Sequence, residues 1–189
     1  MSKNLTIVVT GTIGSGKTTV CKIFERFGAD YISSDDVAKD IIKNDQRVKR
    51  HIECFLPNYG SKKFVSEIFK NPHKRAVLNS IVHPFVLAYL REYKSKDNDI
   101  KVIEIPLFIE TKAWDIGDKI VVTYAPLDVL IKRIKDKWNC QEEEAKIRLS
   151  SQLSQEIKLR FAHYKIDTSI SLQYTKRQVE TIWKALMNV

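Results

Sequence analysis

Gly11-Thr-Ile-Gly-Ser-Gly16-Lys17-Thr18 fits the pattern G-x-x-x-x-G-K-[ST] at every fixed position, and its surroundings decide the fold. Before it runs the β-branched stretch Leu5-Thr-Ile-Val-Val-Thr10, and after it Val20, Ile23, Phe24 and Phe27 recur at helical spacing. Strand, glycine-rich turn and helix in that order are the context a phosphate-binding loop requires. The glycines let the backbone curl around an oxygen-rich ligand, turning N–H groups and the positive helix end towards phosphates. Gly11, Thr12, Ile13, Gly14, Ser15, Gly16, Lys17 and Thr18 are thus the expected nucleotide cradle, with Thr19 beside it. Lys17 would neutralise the β- and γ-phosphates, and Thr18 would offer its hydroxyl to Mg²⁺.

Outward from the loop, Gly28 reads as a helix stop, Tyr31-Ile32 as a short strand, and Ser33-Ser34-Asp35-Asp36 as the N-cap sequence of a second helix. Residues 37–97 show no convincing strand and read as several helices. Among them are Phe64 to Phe69 and Lys74 to Tyr93, the latter bent or restarted at His83-Pro84. After the polar linker Lys94 to Asp99, Lys101 to Ile105 and Lys119 to Tyr124 read as buried strands. Leu127 to about Leu159 is helical and highly charged, Tyr164 to Ile166 a last short strand, and Thr175 to Met187 an amphipathic helix. Strands alternating with helices imply an α/β fold: a three-layer core around a mostly parallel, doubly wound sheet. The expected organisation is one domain, 1–189. Its core is 1–36, 98–126 and 159–189, with a helical insert at 37–97 and a helical lid at 127–158.

At 189 residues, 43% apolar and 29% charged, the chain suits a single folded α/β domain. No apolar run approaches the ~20 residues needed to cross a bilayer. The first apolar run, Leu5 to Val9, leads into the glycine-rich loop and not into a cleavage site, so a cytoplasmic protein is expected. Cys21, Cys54 and Cys140 are odd in number and far apart, which speaks against a disulfide framework and a zinc site. The charge of +9 suits nucleic acid, an anionic surface or a polyanionic small substrate. No glycine has Asp three residues before it and NKxD is absent, so the switch-GTPase reading fails.

Five further segments, together with the loop, resemble the dephospho-CoA kinase family across nearly the whole chain. Gly28-Ala-Asp-Tyr-Ile-Ser-Ser-Asp35-Asp-Val-Ala38 is similar to the family's G-x-x-V-I-D-A-D-x-[IV]-A. Leu78 to Val86, containing His83-Pro84, resembles L-[EN]-x-[IL]-x-H-P-x-[VI], and Glu104 to Glu110 resembles [VD]-[IV]-P-L-L-x-E. Arg133 falls on the first arginine of the lid helix, Arg148-Leu-Ser-Ser-Gln152 matches R-[IL]-x-x-Q, and Lys158 to Asp167 is similar to [KR]-x-x-x-A-D-x-V-I-D-N. The resemblance implies phosphorylation by ATP, with Mg²⁺, of the ribose 3′-hydroxyl of dephospho-CoA. It implies no nucleic-acid or membrane partner, and a monomer or weak homo-oligomer is expected.

What the resemblance implies for single residues stands beside plainer readings. Asp35 would be the catalytic base, or simply an N-cap. His83 would contact the coenzyme, or hold a helix bend before Pro84. Pro106, Leu107 and Glu110 would line the substrate site. Glu104, at a strand end, would hold Mg²⁺ through water, or be a polar strand terminus. Lys17 and Arg133 would act in catalysis, and Arg133 and Arg148 would contact phosphates, Arg148 those of the nucleotide, since a planar guanidinium suits bidentate phosphate binding; the other lid cations read as a solvated face. Departures from the family pattern include Ser33 for Asp, Lys137 for Arg, His163 for Asp and Thr168 for Asn. The rival readings are another small-molecule or nucleoside kinase of this fold, and a basic nucleic-acid-binding ATPase.

Overall fold

A computed structural model describes residues 4–61, 71–96 and 100–187. The chain divides into two compact units, Met1–Ser33 with Lys96–Val189, and Ser34–Ser95. The first holds a five-stranded sheet of β1 (Leu5–Gly11), β2 (Asp30–Ser33), β3 (Ile100–Glu104), β4 (Lys119–Tyr124) and β5 (Tyr164–Asp167). The strand order is β2-β3-β1-β4-β5 and every pairing is parallel. All seven residues of β1 are buried, as a central strand covered on both faces demands.

The pleat sends Leu5, Ile7 and Val9 to one face, where Val20, Cys21 and Phe24 of α1 (Lys17–Arg26) meet Val179, Ile182 and Leu186 of α9 (Leu172–Met187). Stacking of Phe27 on Trp183, with ring centroids 6.0 Å apart, closes the rim of this core. The register sets Val9 and Ser33 beside Glu104, and Gly11 beside Thr123. Phosphate loop and β3 terminus therefore share one edge of the sheet, where open α/β folds bind ligands. Between β3 and β4 lies the short α5 (Phe108–Thr111). The charged stretch after β4, read as helical, is made of three helices: α6 (Leu127–Trp138), α7 (Glu142–Ser150) and α8 (Gln155–Leu159). The first break falls at Asn139, which caps α6 in the left-handed conformation at φ 47°. The second falls before Ser154, whose hydroxyl accepts from Ile157 N.

The second unit is α2 (Ser34–Asn44), α3 (Gln46–Phe55) and α4 (Pro72–Ser95). Asp45 caps α3 by accepting from Arg47 N and Val48 N. The helix expected over Lys74 to Tyr93, bent or restarted at His83-Pro84, is present and does not restart there: it is one helix from Pro72 to Ser95 with Pro84 inside it. Val82, Val86 and Leu90, four residues apart, bury one stripe of α4, which packs on α2 and α3, and this burial outweighs the hydrogen bond that Pro84 cannot donate. The expected helix Phe64 to Phe69 lies outside the described residues. Among the described residues no helix is long and apolar enough to cross a membrane.

Candidate active site

The turn from β1 into α1 forms the cradle that its sequence announces. Gly16 stands at φ 79° as the N-cap of α1; among the described residues no side chain caps this helix and no acid occupies its first turn. The N–H groups of its first turn and its positive end are the features that bind an anion. At Gly11 the backbone passes so close to β4 that a Cβ would lie 2.5 Å from the Thr123 carbonyl oxygen, which excludes any side chain there. The Lys17 ammonium lies along the loop, donating to the carbonyls of Gly11 (3.2 Å) and Thr12 (2.9 Å).

Three braces hold the loop from behind. Ser15 Oγ and Thr123 Oγ1 share a buried hydrogen bond of 2.6 Å. Gln152, in the turn between α7 and α8, accepts from Ile13 N at 3.0 Å. Arg133, on α6, donates to Gly14 O (3.2 Å), Thr168 Oγ1 (2.9 Å) and Thr168 O (2.6 Å), and the buried Thr168 hydroxyl lies 3.1 Å from Ser15 O. The guanidinium fork assigned to phosphates is here placed on loop backbone. Gln152 and Thr168 were visible in sequence as a motif position and a departure, with nothing to say what they touch.

At the sheet edge, Thr18 donates to Glu104 Oε1 at 3.0 Å and Tyr31 donates to Glu104 Oε2 at 2.8 Å. Glu104 is buried at the end of β3. Its negative charge reaches Cys21, whose thiol is pushed well above the ordinary cysteine range, first by complete burial and then by Glu104. A hydroxyl that gives its proton to a carboxylate keeps its lone pairs, so Thr18 and Glu104 form an oxygen-only donor set, the chemistry that suits Mg²⁺. Among the described residues no three His, Cys, Asp or Glu side chains form a metal cage. Such a pair fits an ion that is otherwise held by phosphate and water.

Pro106, Leu107 and Glu110 belong to a hub on the same side. Pro106 O accepts from Thr10 Oγ1 (3.2 Å) and Lys158 Nζ (2.7 Å), and Leu107 O accepts the Thr111 amide at 2.9 Å. Lys158 Nζ lies 2.8 and 3.1 Å from the two Glu110 oxygens, while Leu153 N donates to Oε1. Burial lowers the Lys158 pKa and Glu110 pulls it back up. Glu110, assigned to substrate, is engaged by the chain itself.

Arg148 pairs with Glu144 at 2.7 Å and lies 5.5 Å from the Trp138 ring, over which Lys137 Nζ also stands at 4.6 Å. Thr19 is exposed on α1. In the helical unit, Asp35 is exposed in the first turn of α2, whereas Asp36 is paired with Lys39 at 2.7 Å. Burial lowers the His83 pKa while Asp35 raises it, so base candidate and coenzyme candidate are electrostatic neighbours. His163 exchanges two hydrogen bonds with Ile120: Nδ1 accepts from Ile120 N (3.0 Å), and the His163 amide donates to Ile120 O (2.9 Å).

A family model described as dephospho-CoA kinase matches residues 5–173. A dephospho-CoA kinase of Carboxydothermus hydrogenoformans is 34% identical over 193 residues, covering 94% of each chain. That of Bacillus licheniformis is 30% identical, covering 98% of each. Among solved structures, a dephospho-CoA kinase from Campylobacter jejuni superimposes with a TM-score of 0.63 at 29% identity, covering 96% of each chain. A shikimate kinase from Bacteroides thetaiotaomicron, with a TM-score of 0.60 at 16% identity over 98% of this chain and 99% of its own, shares the fold.

Proposed function

The chain belongs to the dephospho-CoA kinase family, and from that premise we propose that it transfers the γ-phosphoryl group of ATP to the ribose 3′-hydroxyl of dephospho-CoA, giving coenzyme A and ADP. The observation that carries the reading is a formed phosphate loop whose Thr18 is joined at 3.0 Å to the acid ending β3, in a chain matched by the family model over residues 5–173.

The uncapped N-terminus of α1 and Lys17 bind the β- and γ-phosphates and offset their charge. Thr18 and Glu104 would hold Mg²⁺, which when bound would supply positive charge against the charge that develops on the phosphoryl group. Asp35 orients the 3′-hydroxyl and accepts its proton as the oxygen–phosphorus bond forms and the bond to the β-phosphate oxygen breaks. His83, whose charged form the Asp35 carboxylate favours against burial, serves coenzyme binding. Arg133 acts on the phosphates through the loop it braces, and Arg148 serves the nucleotide phosphates by exchanging Glu144 for them. Both substrates are polyanions, which accounts for the charge of +9 without a nucleic-acid partner, and the protein acts in the cytoplasm.

The test is ADP release by purified protein with Mg·ATP and dephospho-CoA, against adenosine, shikimate and no acceptor. Stoichiometric ADP and coenzyme A from dephospho-CoA alone is the expected result. Turnover with another acceptor, or none with dephospho-CoA despite tight ATP binding, overturns the assignment.

A further inference from the structure

An aromatic residue in a strand ordinarily reads as packing, yet Tyr31 on β2 directs its hydroxyl to Glu104 Oε2 at 2.8 Å. The other oxygen of the same buried carboxylate receives the Thr18 hydroxyl at 3.0 Å. Donors from α1 and β2 thus take one oxygen each, and the carboxylate cannot turn about its terminal torsion, otherwise a broad and soft one, without breaking a charge-assisted bond. Two residues further along β2, Ser33 pairs in register with Glu104. The motif this segment resembles carries Val and Asp where this chain has Tyr31 and Ser33. The edge here therefore combines one acid with a phenol aimed at it.

We infer that Tyr31 is a positioning residue: by holding Oε2 it fixes the Glu104 carboxylate so that Oε1 and the Thr18 hydroxyl oxygen together face the cation of bound Mg·ATP. The inference rests on the reading of Thr18 and Glu104 as the metal-facing pair. Tyr31 itself touches neither metal nor nucleotide in this scheme and acts through Glu104 alone. Its loss therefore weakens what the cation adds to ATP binding and leaves the binding of metal-free ATP as it was.

Calorimetric titration of ATP with excess Mg²⁺ and again with EDTA gives the factor by which the cation tightens binding, without turnover. Tyr31→Phe removes one O–H and keeps the ring, and should lower that factor about tenfold, the worth of one hydrogen bond to a charged group. Tyr31→Leu lacks the same hydroxyl and must give the same factor, so either variant that folds decides the matter. Glu104→Gln, run alongside, should abolish the cation's contribution. If Glu104→Gln abolishes it and the Tyr31 variants keep it, the phenol only packs and the inference fails alone. If Glu104→Gln keeps it too, the metal-facing pair is misassigned and both readings fall. Equal losses of affinity with Mg²⁺ and with EDTA in the Tyr31 variants would also overturn the inference.

Discussion

Replacing Glu110 with Gln keeps the side chain's shape and an acceptor for Leu153 N but deletes the charge facing Lys158. The Lys158 side chain is 0% exposed and that of Glu110 22%, so the two partners differ in their access to water. After the change a buried ammonium keeps the Pro106 carbonyl at 2.7 Å and no counter-charge from Glu110. Breaking a buried pair costs about 3–5 kcal/mol. The partial exposure of Glu110 places E110Q at the lower end, about 3 kcal/mol, or roughly 6–12 °C in Tm for a chain of this size. Lys158→Met should cost less, about 1 kcal/mol, because the surviving carboxylate keeps water and the Leu153 amide.

The pH dependence has a definite sign. Burial lowers the folded-state pKa of Lys158 and Glu110 opposes that; in E110Q the lowering is unopposed. The unfolded chain then binds more protons in the window below the ordinary lysine value of 10.5, so stability rises with pH there. Thermal melts of wild type and E110Q should differ most near neutral pH and converge towards about pH 10, where an ordinary lysine begins to lose its proton. A wild-type Tm for E110Q at neutral pH, together with a raised KM for dephospho-CoA, would refute the structural role and return Glu110 to the substrate.

Asp35→Asn should reduce kcat by about 10²–10⁴-fold, the usual worth of a general base, with little change in Tm because the side chain is exposed. Asp36→Asn, which removes a surface pair with Lys39, should leave ADP release nearly unchanged. Thr168→Val takes away the hydroxyl shared by Arg133 and Ser15 O, and should raise KM for ATP more than it lowers kcat, at a stability cost of about 1–3 kcal/mol. For His83, whose folded-state pKa is lowered by burial, the unfolded chain takes up the proton first as pH falls through 6.5, so stability drops on acidification. Urea titrations of His83→Asn across that range should show a flatter pH dependence than wild type.

What could be read from sequence was what local pattern controls. The phosphate loop is contiguous, its glycines and flanking periodicity sit within a few residues, and β4 falls at Lys119–Tyr124 as its apolar run implies. The sequence left open whether the helix over Lys74 to Tyr93 bends or restarts at Pro84, because the local penalty of proline is visible and the packing of Val82, Val86 and Leu90 that offsets it is not. The same limit applied to side chains. Arg133 was assigned to phosphate for its fork geometry, which suits the Gly14 and Thr168 oxygens equally well. Lys158 stood in the sequence only as the first position of a motif and Tyr31 as a strand residue within another, with nothing to say what either touches. Their partners Glu110 and Glu104 lie 48 and 73 residues away in sequence, beyond the reach of any pattern.

The position of β1 at the centre of the sheet has a consequence for how the chain is made. β1 pairs with β3 from Leu5 against Ile100 and with β4 from Ile7 against Lys119, so it leaves the ribosome long before either neighbour exists. At about 5–20 residues per second, several seconds pass in which a strand destined for complete burial has both edges open. Large sequence separation slows folding, because the entropy of closing the intervening loop must be met before any pairing is gained. The helical unit of residues 34–95, all of which precedes β3, can form in that interval. Ribosome-bound nascent chains ending before β3 should therefore engage holdase chaperones through residues 5–11, and those extending past β4 should release them.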